Sequence, residues 1–234
     1  MSGVVHRMGV FKELDLALGA TSDEEKRLRL AVDAATSLVA HCCHAGFTVN
    51  DGGTLTTRAS SDEVVRVAND LQQELGEGPC LDVMRDQDTL VSPDLQHDER
   101  WPRWGPRVHA ELGAGSMISV LVHTDAGSYG ALSLYAARRV RFESDDVAIA
   151  QTLAAHLAMV VAAGRESDQL GRAVHNRTII GQAQGILMER LDVDAAQAFD
   201  YLRRVSSTSN RKLSDVAAEI ARTRVLPDAT VHQG

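Results

Sequence analysis

The stretch 179-IIGQAQGILMER-190 places two glycines, Gly181 and Gly185, one helical turn apart, with the amides Gln182 and Gln184 beside them. At about 100° per residue, Ile179, Ile180, Ala183, Ile186, Leu187 and Leu191 fall on one side as a core face. The glycines therefore lie on the solvent face, where each costs roughly 1 kcal/mol relative to alanine. Bare backbone there admits close approach of another group, and the neighbouring amides offer hydrogen-bond donors and acceptors. A second helix packed on the glycines is the competing use of the same face.

Two further groups carry chemistry. Arg203, Arg204, Arg211 and Lys212 lie off the apolar stripes of their segments and form a candidate basic patch. Arg211 and Lys212 are expected in the first turn of a helix, where the macrodipole disfavours cations and a bound phosphate would reverse that cost. Cys80 follows Pro79 at an expected helix start. A thiolate there would be favoured by the dipole, which makes Cys80 a ligand or redox candidate against the plainer reading of a small buried residue. Cys42 and Cys43 lack a disulfide framework, and His41-Cys42-Cys43-His44 does not have the spacing of a zinc site, so no metal is assigned.

Composition bounds the setting of these groups. The chain has 234 residues and a formal net charge of −8. The charge divides unevenly: residues 170–226 hold nine Lys and Arg against six Asp and Glu, net +3, while the remaining 15 basic and 26 acidic residues give −11. That asymmetry permits contact with a polyanion through the C-terminal part alone. The sequence reads as lacking both an apolar run of about 18 residues and a leader with a cleavage site, so a soluble, cytoplasmic protein without membrane contact is expected.

The positioning elements follow from periodicity. The first 21 residues show no persistent period and are read as an N-terminal extension. Ser22 and Glu25 form a capping-box pattern for a helix reaching about His44. GFTVN and TLTTRAS flank Asp51-Gly52-Gly53 as a hairpin. Residues 62–75 read as a helix closed by Gly76, Pro79 opens another, Thr89–Ser92 reads as a strand and Arg103–Leu112 as a helix, with Trp101 and Trp104 of RWPRW read as packing anchors over the sheet rather than base-stacking aromatics. Two strands, SMISVLVHT and SYGALSLYA, surround a turn at Asp125-Ala126-Gly127-Ser128. An antiparallel sheet with helices on its faces results.

Beyond Ser144, Val147, Ala150, Leu153, Ala154, Leu157, Val160 and Val161 make a broad stripe, read as a terminal helix whose apolar surplus could pair with a second copy, with a helix packed on its own sheet as the alternative. Gly164 marks the expected end of its first part. The last 55 residues give three helices. Asp194 and Gln197 cap the second, with Ala198, Phe199, Leu202 and Val205 inward, and Ser209 or Asn210 starts the third.

IIGQAQGILMER followed by DAAQAFDYLRRVSSTSNRKLSDVAAEIA resembles an ANTAR domain. The resemblance implies an RNA-binding antiterminator that stabilises paired stem-loops in nascent RNA; a family position that is often basic is Gln184 here. LQQELGEGPCLDVMRDQ, DERWPRW, GSMISVLVH and YGALSLYA resemble a GAF domain of the type that precedes ANTAR modules in actinobacteria. That implies a sensory role with a small-molecule ligand in the GAF domain left open and the cofactor unknown. Together they imply an α+β chain: a GAF-type antiparallel sheet with flanking helices over 22–165, a connector helix and ANTAR bundle over 166–226, and a tail at 227–234.

The expected function is an RNA-binding sensory regulator acting as a homodimer, not an enzyme. The RNA-binding residues would be Gly181, Gln182, Gln184, Gly185, Arg203, Arg204, Arg211 and Lys212. Two rivals stay open. A DNA-binding regulator would need long side chains on its recognition helix. A GAF-type thiol enzyme that reduces methionine sulfoxide would need Cys80 or the adjacent Cys42 and Cys43.

Overall fold

The computed structural model describes residues 2–124 and 127–226 and divides into two compact units, 1–164 and 165–234. The expected turn residues Asp125 and Ala126 and the tail at 227–234 lie outside the described residues.

The first unit is a five-stranded antiparallel sheet in the order β2-β1-β5-β4-β3, formed by β1 (His44–Asp51), β2 (Thr54–Ser60), β3 (Leu90–Ser92), β4 (Ser116–Thr124) and β5 (Gly127–Ala136). Strand alternation builds two cores. Ile118, Val120, Val122, Leu132 and Leu134 face one side, against α1 (Ser2–Gly19), α2 (Glu24–Leu38) and the beginning of α6 (Ser144–Leu191). Met117 and Tyr135 face the other, against α3 (Glu63–Leu75) and α5 (Trp104–Leu112), while Leu121 and Ala131 meet Cys80 and Val83 of α4 (Pro79–Asp86). Gly130 is required by the β1–β5 pairing, because a Cβ there would overlap the Thr48 carbonyl.

Trp101 and Trp104 are buried in an edge-to-face pair with ring centroids 5.7 Å apart. Their indole N–H groups donate to Asp82 Oδ2 and the Ala68 carbonyl, both at 2.8 Å, so each buries its ring without leaving a polar group unmet. Glu77 Oε1 accepts from the backbone N–H of Arg103 and Trp104, which closes the start of α5 from outside the helix.

Several expectations are corrected here. The N-terminal extension is a helix, α1, whose Leu14 and Leu18 join the sheet core. Its seam is short, too brief to register as a sustained period. Helix α2 is capped by Asp23 rather than by the Ser22/Glu25 pair, and it ends at Leu38 instead of near His44. Helix α6 does not stop at Gly164 but continues as one helix of 48 residues; a Cβ at Gly164 would overlap the Glu24 carboxylate, so the glycine serves packing rather than termination. The stripe from Ala150 to Val161 is core: Leu153 and Leu157 are fully buried within the first unit and cannot form the subunit contact expected of them. α6 also contains an 18-residue window of mean hydropathy 1.7, so one helix is long and apolar enough to cross a membrane, contrary to expectation; 44% of that window is buried in the fold.

The second unit packs residues of α6 against α7 (Ala195–Ser209) and α8 (Leu213–Thr223) through Ala183, Leu187, Ala198, Leu202, Val205, Val216, Ala217 and Ile220. The Asp194/Gln197 capping box is complete. Two expected core residues are not inward: Phe199 is 39% and Leu191 40% exposed. The core is completed without them, by Leu187, Leu202, Val205, Val216 and Ile220 with three alanines between. The third helix starts later than expected, because Asn210 takes the left-handed conformation (φ 50°) that closes α7.

Candidate nucleic-acid interface and buried thiol

Gly181 and Gly185 are exposed, and a Cβ built on either meets nothing within 4 Å. No helix of the chain lies on the glycine face among the described residues, so close intramolecular packing does not account for the two glycines. Gln182 and Gly185 instead line a groove of about 530 Å³ with Ile186, Glu189, Ala221 and Arg224. Gln184 is committed elsewhere: its Nε2 donates to the Ala195 carbonyl at 3.0 Å, which ties α6 to the start of α7 and removes that donor from outside contact.

The four candidate cations do not form one patch with the glycines. Arg203 and Arg204 are exposed and line a separate groove of about 470 Å³ with Leu191, Val193 and Tyr201; Arg203 also pairs with Asp200 at 3.0 Å. Arg211 and Lys212 precede the first turn of α8 instead of occupying it: Lys212 is the residue before the helix and supplies no side-chain cap. Arg211 is not a freely solvated charge, since it pairs with Glu219 at 2.6 Å. Sequence reasoning missed Arg224 and Glu189. The signal for Glu189 was its place two positions beyond Leu187 on the wheel. Arg224 gave none, since its location depends on where α8 ends.

The Arg211–Glu219 pair changes the expected cost of removing the basic turn. Both side chains are about two-fifths exposed, so the pair contributes at most about 1 kcal/mol. Arg211→Ala/Lys212→Ala is expected to lower the thermal midpoint slightly. If both side chains meet phosphates, it also reduces the slope of log RNA affinity against log salt by about 0.7 per lost single-strand contact. Titrations at several salt concentrations, with a melt of the same variant, check both.

Cys80 is fully buried at the start of α4. Its backbone N–H donates to Gln72 Oε1 at 2.8 Å, and its Sγ lies 3.2 Å from Ser133 Oγ. The network extends through Gln72 Nε2 to Asn69 Oδ1 and from Asn69 Nδ2 to Thr48 and Thr57. Gly78 makes it fit, since at φ 146° any side chain would collide with Gln72. Burial raises the Cys80 thiol pKa above its ordinary value despite the hydrogen bonds from Ser133 and Gln72 that lower it, which favours the plainer reading of a small buried residue over a helix-start thiolate. Burial likewise pushes Cys42 up to about 12, and Cys43 alone is exposed. No group of three or more metal-ligating side chains is found among the described residues.

A thiol titration tests this. At pH 8 one cysteine of three should react quickly in the native chain and the other two only on unfolding. The sign for stability follows: a thiol whose folded pKa is raised contributes fully below its unfolded value near 9, and the contribution is lost as pH rises toward about 12. Alkaline melts should therefore decline across that window.

A groove of about 320 Å³ opens in the first unit at the β4 edge, lined in part by Asp88, Thr89, His123 and Gln151. Short β3 pairs only with Met117 to Ser119 and leaves the rest of that edge uncovered.

Comparison with known proteins agrees with this division. The GAF domain model matches residues 21–162 and the ANTAR domain model residues 168–220. No curated protein matches the chain. Among solved structures, the GAF domain of a phosphoenolpyruvate-protein phosphotransferase from Coxiella burnetii is 16% identical, with TM-score 0.57 over 70% of this chain and 98% of that one. A free methionine-R-sulfoxide reductase from Neisseria meningitidis, in complex with its substrate, is 15% identical, with TM-score 0.54 over 71% of this chain and 94% of that one. At such identity these likenesses establish the fold alone.

Proposed function

For a chain that belongs to the GAF domain family and carries an ANTAR domain behind it, we propose a cytoplasmic transcription antiterminator of the actinobacterial type that binds paired stem-loops in nascent RNA. The GAF part, residues 22–165, modulates this binding, and the connector and bundle, residues 166–226, carry it out. The observation that carries the reading is the open glycine face of α6: two glycines are kept at a cost in helix stability, and nothing in the described chain uses the space. Gly181, Gln182 and Gly185 would meet the RNA directly. Arg203, Arg204, Arg211 and Lys212 would add phosphate contacts from neighbouring surfaces, and Gln184 would contribute its oxygen and its second N–H, the first being held by Ala195.

Two copies act together in this proposal, so that paired stem-loops meet paired modules. Support comes from Leu170 and Val174 of α6, which are 62% and 66% exposed and one turn apart, unlike the buried stripe nearer Ser144. The thiol-enzyme alternative draws no support from Cys80, which is fully buried where burial raises its thiol pKa. A transcription assay on a template with two stem-loops ahead of a terminator tests the proposal: added protein should raise read-through, and read-through that is independent of protein over the whole titration would refute it.

A further inference from the structure

The groove between α6 and α8 is chemically asymmetric, and the asymmetry identifies an occupant. Ile186 and Ala221 form its apolar wall, Gly185 supplies the missing side chain that makes room, and Gln182, Glu189 and Arg224 bring polar groups. Its volume of about 530 Å³ falls within the range of about 300–1,000 Å³ typical of small-molecule pockets, large enough for a nucleobase and too small for a helix. Glu189 and Arg224 are both exposed, and no ion pair is formed by either among the described residues.

Arg224 is also held in an unfavourable backbone conformation. It closes α8 at φ 56°, ψ 19°, the left-handed region in which glycine is preferred and a side chain is penalised. An arginine kept there lines the groove at the cost of local strain. Arg224 also lies beyond residue 220, where the ANTAR match ends.

We infer that this groove binds one unpaired nucleobase extruded from an RNA loop, with its phosphate on Arg224 and an amino-bearing base edge on Glu189. The inference rests on the RNA-binding function proposed above. The orientation follows from charge: a carboxylate repels phosphate and accepts from an amino group, whereas the guanidinium does the reverse. Adenine, cytosine and guanine each present an exocyclic amino group on the edge that is free in an unpaired loop. Uracil presents a single N–H between two carbonyl oxygens, and both oxygens would face the Glu189 carboxylate. Gln182, with donor and acceptor on one amide, fits the same edge. The groove therefore selects against uridine at one loop position.

The test uses the full chain and a synthetic RNA pool with two fixed stems and randomised loops. Selection on the wild type should enrich loops in which one position is depleted of uridine. Glu189→Gln should relax that position by about tenfold in relative enrichment and leave the other positions unchanged. Arg224→Gly should bind the selected RNA about tenfold more weakly, with a salt slope reduced by about 0.7, while its thermal midpoint holds or rises because glycine relieves the left-handed residue. Unchanged loop preference in Glu189→Gln, or wild-type affinity in Arg224→Gly, would overturn the groove assignment. A wild-type chain that retains the pool but enriches no loop would overturn the groove alone, whereas one that retains no RNA from the pool would overturn the RNA-binding function and the groove with it.

Discussion

Leu157→Asp should unfold the first unit rather than release a folded protomer. Leu157 is fully buried in the sheet core, with 0% accessible surface, in one cluster with Leu153, Ala154, Ala158 and Val161. Replacing it removes the leucine from the core and places a carboxylate in an apolar site without a partner. Truncation alone costs about 2–5 kcal/mol, and the unpaired charge adds several more, against a total stability of about 5–15 kcal/mol for an ordinary domain. Circular dichroism melts with light scattering decide the matter. Loss of the sheet transition is expected, and Leu157→Ala should shift it downward without abolishing it. A folded monomeric Leu157→Asp protein would contradict the assignment of this stripe to the core.

The second large effect concerns the glycine face. Gly185→Ala should stabilise the bundle by up to about 1 kcal/mol, since a methyl meets nothing and alanine favours the helix. Gly185→Leu should leave the bundle folded for the same reason and lower RNA affinity at least about tenfold, or roughly 1.4 kcal/mol, because its side chain occupies the space proposed for the ligand. Stability and binding thus move independently. A folded Gly185→Leu protein with wild-type affinity would remove RNA from this face.

Much of the architecture was legible because the relevant signals are local. The Asp51-Gly52-Gly53 hairpin, the Asp62 and Gly76 ends of α3, Pro79 in the first turn of α4 and the Asp194/Gln197 box each depend on a few adjacent residues, and each stands in the structure. Some ends were misplaced locally, as at Asp23 and Asn210, but the larger failures depend on distant residues. Gly164 looked like a helix end because its contact with Glu24 comes from a residue 140 positions away. The stripe at 147–161 looked too apolar for one sheet face, but α1 and α2 also cover it. At the candidate interface, exposure of Gly181 and Gly185 followed from the helical period. The engagement of Gln184 by Ala195 required the turn from α6 into α7, and that of Arg211 by Glu219 the exact start of α8. The groove itself was invisible for the same reason, since Arg224 joins Gly185 only when α8 is folded against α6.

The most direct measurement of the central claim is sequencing of RNA crosslinked to the intact chain, with the crosslinked peptides mapped in the same experiment. The account predicts reads concentrated on transcript leaders that can form two adjacent stem-loops, with crosslinks confined to residues 166–226. Reads spread over RNA without such pairs, or crosslinks confined to residues 22–165, would contradict it.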